Sequence, residues 1–114
     1  MTIEEYFSTG PPFERPIFEA VMAALEPVGP VFVEPVSVGI FLKRARSFAE
    51  LRPMTKWVAM SFSLPREVRH PLITRKVIAY GARYWHYANL TRPLDLDDVL
   101  VECLTQAYLD CPPA

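Results

Sequence analysis

Twelve prolines in 114 residues limit this chain to short elements. Proline lacks the backbone donor that a helix interior or a central strand needs, and it biases the residue before it towards extended backbone. The prolines stand at Pro11, Pro12, Pro16, Pro27, Pro30, Pro35, Pro53, Pro65, Pro71, Pro93, Pro112 and Pro113, so the chain is punctuated from end to end. Between them the hydrophobic pattern changes period. Helical spacing is confined to the two ends, and strand-like patterns fill the middle.

Near the N-terminus, Thr2 and Glu5 have the spacing of a capping box, in which each side chain satisfies the other's backbone N–H. Gly10-Pro11-Pro12 stops the short helix that follows, and Tyr6 and Phe7 are expected to pin it to the core. A second helix is predicted over residues 13–26, with Pro16 in its first turn, where the missing N–H costs nothing. Ile17, Ala20, Val21, Ala24 and Leu25 form one apolar stripe on it, widened by Phe18 and Met22. Residues 31–36 read as a strand in which Pro35 marks an edge or a bulge. Residues 38–44 and 47–51 follow as further strands.

Residues 56–64 are the clearest strand. Val58, Met60, Phe62 and Leu64 point to one face, and Trp57, Ala59, Ser61 and Ser63 to the other. Residues 65–74 form a basic loop, and 76–80 and 83–90 are two more strands about Gly81. The last helix takes Asp95 as its expected N-cap, with Asp97 and Asp98 at the positive end of its dipole. Leu96, Val99, Leu100, Cys103, Leu104 and Ala107 are its predicted buried stripe. Strands gathered between helices imply one α+β domain over residues 1–114: an antiparallel sheet of about five strands packed by an N-terminal and a C-terminal helix.

The formal net charge of −1 conceals a segregated layout. Residues 1–38 carry six acidic side chains against Arg15 alone. Residues 39–92 carry eleven basic side chains against Glu50 and Glu67, and residues 93–114 carry five acidic ones and no basic one. Such a layout either creates a basic face that attracts anions or is neutralised within the domain by acidic helices over a basic sheet. Cys103 and Cys111 have no metal-ligand spacing; Cys103 falls on a helix face, and Cys111 lies in a tail expected to fray. Residues 1–10 are acidic and lack the apolar core of a signal peptide, so a cytoplasmic location is the default expectation, with no membrane partner.

Lys43-Arg44-Ala45-Arg46-Ser47-Phe48-Ala49, with Gly39-Ile40-Phe41 before it, Leu64-Pro65-Arg66 after it and Trp85-His86-Tyr87 later, resembles a bacterial family known as domain of unknown function 5655. Tyr6-Phe7 and Ala107-Tyr108 extend the likeness over nearly the whole chain. The resemblance implies a small α+β domain, sometimes attached to other modules. It implies no activity, cofactor or catalytic residue.

Nucleophile patterns are missing: there is no GxSxG elbow, no glycine-rich phosphate loop and no paired carboxylates outside helix starts. No cofactor is expected, and the chain reads as a non-catalytic binding or accessory domain. The candidate ligand-binding residues are Lys43, Arg44, Arg46, Trp57, Arg69, His70, Arg75 and His86. Arginine offers a planar fork of donors to phosphate or carboxylate, and histidine an anion contact or a base. The competing expectations are a solvated or ion-paired hairpin end for Lys43, Arg44 and Arg46, an exposed His70, and a His86 hydrogen-bonded across the sheet. The expected partner is an anionic small molecule or an acidic protein. Weak single-stranded nucleic-acid binding, through basic residues beside Trp57 and Trp85, is one alternative; a homodimer formed through an edge strand at residues 31–36 is another.

Overall fold

A computed structural model describes residues 1–114. The elements run α1 (Ile3–Phe7), α2 (Glu14–Leu25), β1 (Phe32–Val36), β2 (Gly39–Lys43), β3 (Ser47–Pro53), β4 (Val58–Leu64), β5 (Ile78–Tyr80), β6 (Arg83–Leu90), a 3-10 turn (Pro93–Asp95) and α3 (Asp98–Asp110). All six strands pair antiparallel in the order β1-β2-β3-β4-β6-β5. This is the expected α+β class, with one strand more than five because the three-residue β5 completes an edge. Pro35 sits on the opposite edge strand, where a missing donor is tolerated. No helix is long and apolar enough to cross a membrane.

Alternation decides which face is covered. Val58, Met60, Phe62 and Leu64 are fully buried, and so are Ile40 and Leu42 of β2, Leu51 of β3 and Ala88 and Leu90 of β6. They form one core with Ile17, Val21 and Leu25 of α2 and with Leu100, Leu104, Ala107 and Tyr108 of α3. The helices therefore lie over one face of the sheet. The other face carries Glu50 and Arg52 of β3, Ala59 and Ser61 of β4, and Trp85 and Tyr87 of β6.

Four local expectations are corrected. Asp97, not Asp95, caps α3: its Oδ1 accepts the Leu100 N–H at 2.9 Å. Pro93 opens a 3-10 turn first, and Asp95 closes that turn by accepting the Thr91 N–H at 2.8 Å and its hydroxyl at 2.7 Å. Val99 then turns outwards and is 47% exposed. Cys111 does not fray. It is buried, its thiol donates to the Arg46 carbonyl at 3.3 Å, and Pro112 accepts the Ala45 N–H at 3.0 Å. The last residues are thus held against the β2–β3 turn. The His70 side chain is 7% exposed rather than free in solvent.

The α2 stripe holds one residue that hydropathy does not select. Glu14 is three residues before Ile17 and seven before Val21, on the same helix face, and is 2% exposed. The Tyr6 hydroxyl donates to its Oε2, which ties α1 to α2. Burial pushes the Glu14 carboxyl above its usual range, although the Tyr6 bond opposes the shift. The cost of that raised value is present at neutral pH and is relieved as pH falls towards the ordinary carboxyl range. Glu14→Gln keeps an acceptor for Tyr6 and removes the charge. It is expected to raise stability near pH 7.5 by about 1 kcal/mol, with the gain shrinking on acidification; denaturant titrations at several pH values measure it.

Candidate functional site

The sequence-selected basic residues separate into two groups once their partners are known. Lys43, Arg44 and Arg46 belong to the β2–β3 turn, and the first two are occupied. Lys43 Nζ pairs with Glu34 at 3.1 Å across the β1–β2 ladder. Arg44 donates to the carbonyls of Tyr108 at 3.1 Å and Cys111 at 2.9 Å, and its guanidinium lies 4.2 Å from the Tyr108 ring centroid. The last turn of α3 has no basic residue of its own. Arg44 from one turn and Arg83, which meets Asp110 at 3.3 Å, supply the positive charge that the carbonyl end of a helix favours. Arg46 is exposed.

Both histidines are used inside the fold. His86 is fully buried and stacks on Phe62, with ring centroids 5.2 Å apart and 7° between planes. Its Nε2 accepts the Val68 N–H at 2.9 Å, which assigns the proton to Nδ1, and Nδ1 has no partner. Burial holds this imidazole below its ordinary range, so it is neutral and out of reach of a ligand. His70 Nε2 lies 2.7 Å from Asp97 Oδ2, and its Nδ1 accepts the Leu72 N–H at 3.0 Å. Trp57 is half-buried in the β3–β4 turn, where its carbonyl accepts the Met54 N–H at 2.7 Å. Arg69 is exposed on the segment after β4. The eight candidates therefore do not converge on one cavity.

Arg75 is the candidate that meets a concave surface. Its guanidinium lies 4.1 Å from the Tyr87 ring centroid, and it has no carboxylate partner. It lines a hollow of about 220 Å³ on the open sheet face with Glu50, Arg52, Met54, Ala59, Ser61 and Tyr87. A second hollow of about 330 Å³ shares Glu50, Ser61 and Tyr87 and adds Ile78, Tyr80 and Trp85. Together they form a trough with two guanidinium groups at one end and aromatic rings at the other. Arg52 is partly engaged by Glu50 at 3.5 Å. Ser61, 5% exposed, has its hydroxyl 3.5 Å from the Glu50 carbonyl. The larger hollow of about 570 Å³ beside Met22, Ala23, Glu26, Gly29, Pro30 and Val31 contains no basic group.

Tyr87, Arg52, Ile78 and Tyr80 were not among the sequence candidates. Parity along β6 is the signal that points to Tyr87: once His86 faces the core, Trp85 and Tyr87 must face away from it. The trough can hold an anionic group against Arg75 and Arg52 and a flat apolar group against Trp85 and Tyr80. It contains no nucleophile–base pair, and no group of three or more His, Cys, Asp or Glu side chains is gathered for a metal.

The family described as a domain of unknown function, DUF5655, matches residues 3–110. The chain belongs to that family. The match spans every element of this DUF5655 domain, from α1 to the end of α3. No curated protein and no solved structure matches the chain. Several residues that carry the family likeness are structural in this DUF5655 domain. Gly39 lets β2 approach β3, Arg44 closes α3, and His86 holds the segment after β4.

Proposed function

We propose that this DUF5655 domain is a non-catalytic binding module that takes an anionic small molecule on the open face of its sheet. The observation that carries the reading is the free guanidinium of Arg75, held over Tyr87 at the mouth of a hollow that also contains Arg52. Lys43, Arg44, Arg52, Arg83 and Arg92 have acidic or carbonyl partners, whereas Arg46, Lys56, Arg69 and Lys76 have none but line neither hollow of the trough. The charge of Arg75 is not used in the fold, and an aromatic ring positions the side chain, which limits the entropy lost on binding. A bacterial, cytoplasmic setting goes with this reading, and two unpaired thiols suit a reducing compartment.

Sulfate, phosphate and nucleoside monophosphates at millimolar concentration test the proposal by calorimetry and thermal shift. Arg75→Ala is expected to weaken binding about tenfold, the scale of one charge-assisted contact. Absence of a response to any of these anions, or a response unchanged in Arg75→Ala, overturns the reading. Tighter binding of a single-stranded oligonucleotide, falling steeply with salt, would replace the small molecule by nucleic acid.

A further inference from the structure

Backbone register places three cross-strand rows side by side on the open sheet face. Arg52, Ala59 and Asn89 form the first, Glu50, Ser61 and Tyr87 the second, and Ser63, Trp85 and Ile78 the third, with Tyr80 one step beyond. Ala59 and Ser63 are four residues apart on β4, so the rows span about 13 Å. Asn89 donates from Nδ2 to Thr74 Oγ1 at 3.3 Å, which brings the neighbouring Arg75 to the first two rows. The middle row is where polar groups are left unsatisfied. Ser61 is 5% exposed, and its hydroxyl has one partner, the Glu50 carbonyl at 3.5 Å, which is long for an O–H···O bond. Glu50 Oε1 lies 3.5 Å from Arg52, and Oε2 makes no bond within the protein. Glu50 and Ser61 line both hollows.

A carboxylate beside two guanidinium groups weakens a site for a bare anion. It favours an anion whose next group carries hydrogen-bond donors, which Glu50 Oε2 can accept. Arg52 already draws on the Glu50 charge, so neutral donors suit the position better than a second cation. Ser61 adds a hydroxyl that can both donate and accept. Paired hydroxyls meet both groups, as a ribose hydroxyl meets the carboxylate of a dinucleotide-binding fold. Beyond them, Ile78 is 43% and Tyr80 78% exposed beside Trp85, a flat apolar surface. Anion, diol and flat ring is the order of parts in one nucleotide. We propose that the trough takes a ribonucleoside monophosphate, with its phosphate on Arg75 and Arg52, its ribose diol on Glu50 and Ser61 and its base on Trp85 and Tyr80, an assignment that rests on the binding reading above. Arg83, opposite Tyr80, is held by the Ser63 carbonyl at 2.7 Å and by Asp110 at 3.3 Å, so it offers no free charge to a second phosphate past the base.

Calorimetry at one ionic strength tests the assignment part by part, with inorganic phosphate, ribose phosphate, adenosine monophosphate and its dideoxy analogue, which lacks both ribose hydroxyls. Ribose phosphate is expected to bind about tenfold tighter than phosphate, and adenosine monophosphate about tenfold tighter again. The dideoxy analogue should lose about tenfold against adenosine monophosphate. In Glu50→Ala that difference is expected to vanish, while inorganic phosphate binds no more weakly than to the wild type. Trp57→Phe leaves Trp85 as the only indole, whose fluorescence should fall with adenosine monophosphate and not with phosphate. Equal affinity for adenosine monophosphate and its dideoxy analogue, or for adenosine monophosphate and ribose phosphate, overturns the nucleotide. If phosphate still binds and is weakened in Arg75→Ala, the anion reading stands without it. Failure of all four compounds to bind overturns both. A ribo-oligonucleotide bound more than about tenfold tighter than the monophosphate overturns the mononucleotide in favour of RNA.

Discussion

Tyr108→Ala is expected to cost about 3–5 kcal/mol, the range for deleting a buried aromatic ring. The whole stability of a domain this size is about 5–15 kcal/mol, so the variant should be at or near unfolding at 37 °C. The size of the effect comes from where the ring sits. Tyr108 is 2% exposed on the inner face of α3 and meets Phe48 of β3 edge-on, with ring centroids 5.3 Å apart. Its hydroxyl donates to the Pro30 carbonyl at 2.8 Å, reaching the connection between α2 and β1. Arg44 covers its other side from the β2–β3 turn. One side chain therefore joins α3 to a strand, a turn and the link from the other long helix. Tyr108→Phe separates the ring from its hydroxyl and should cost about 1 kcal/mol, the net contribution of one hydrogen bond to the exposed Pro30. Guanidinium titration of both variants measures the split. Loss of less than about 1 kcal/mol in Tyr108→Ala would mean that α3 is fastened elsewhere.

Gly39→Val is expected to prevent folding, and Gly39→Ala to cost about 2–4 kcal/mol. A Cβ at this position would lie 2.6 Å from the Leu51 carbonyl oxygen and 3.4 Å from Arg52 Cα. The obstacle is the backbone of the neighbouring strand, so no side chain can move aside to relieve it. β2 and β3 would have to part where Ile40 faces Leu51, two fully buried residues. Gly81 provides the comparison. It has φ +61, and a Cβ added there would meet nothing within 4 Å, so Gly81→Ala should cost only about 1 kcal/mol of left-handed backbone strain. Circular dichroism and expression in soluble form read the difference between the two glycines.

The parts of this structure legible in the sequence are those set by local periodicity. Val58, Met60, Phe62 and Leu64 alternate because one face of β4 is covered, and all four are buried. Thr2 and Glu5 form their capping box because both partners lie within one turn. Asp95 and Asp97 show the limit of the same reasoning. Both are good caps by residue type, and Pro93 decides between them by starting a separate turn. Glu14 was hidden because hydropathy overrules helical phase in a simple reading, although its phase matches Ile17, Val21 and Leu25. The candidate site was less legible. Lys43, Arg44 and Arg75 are alike as residues, and only contacts between distant segments show that the first two are engaged and the third is free.

The strand order has a consequence for how the chain reaches this state. β1 to β4 form a meander in which each strand pairs with the next, so most of the sheet can assemble from short local closures. β4 does not pair with β5. It waits for β6, with Val58 opposite Leu90, while residues 65–77 and β5 are carried past it. Closing that long loop loses the most chain entropy in the sheet. Until β6 arrives, β4 is an open edge whose inward side is entirely apolar, the most adhesive surface the growing chain presents.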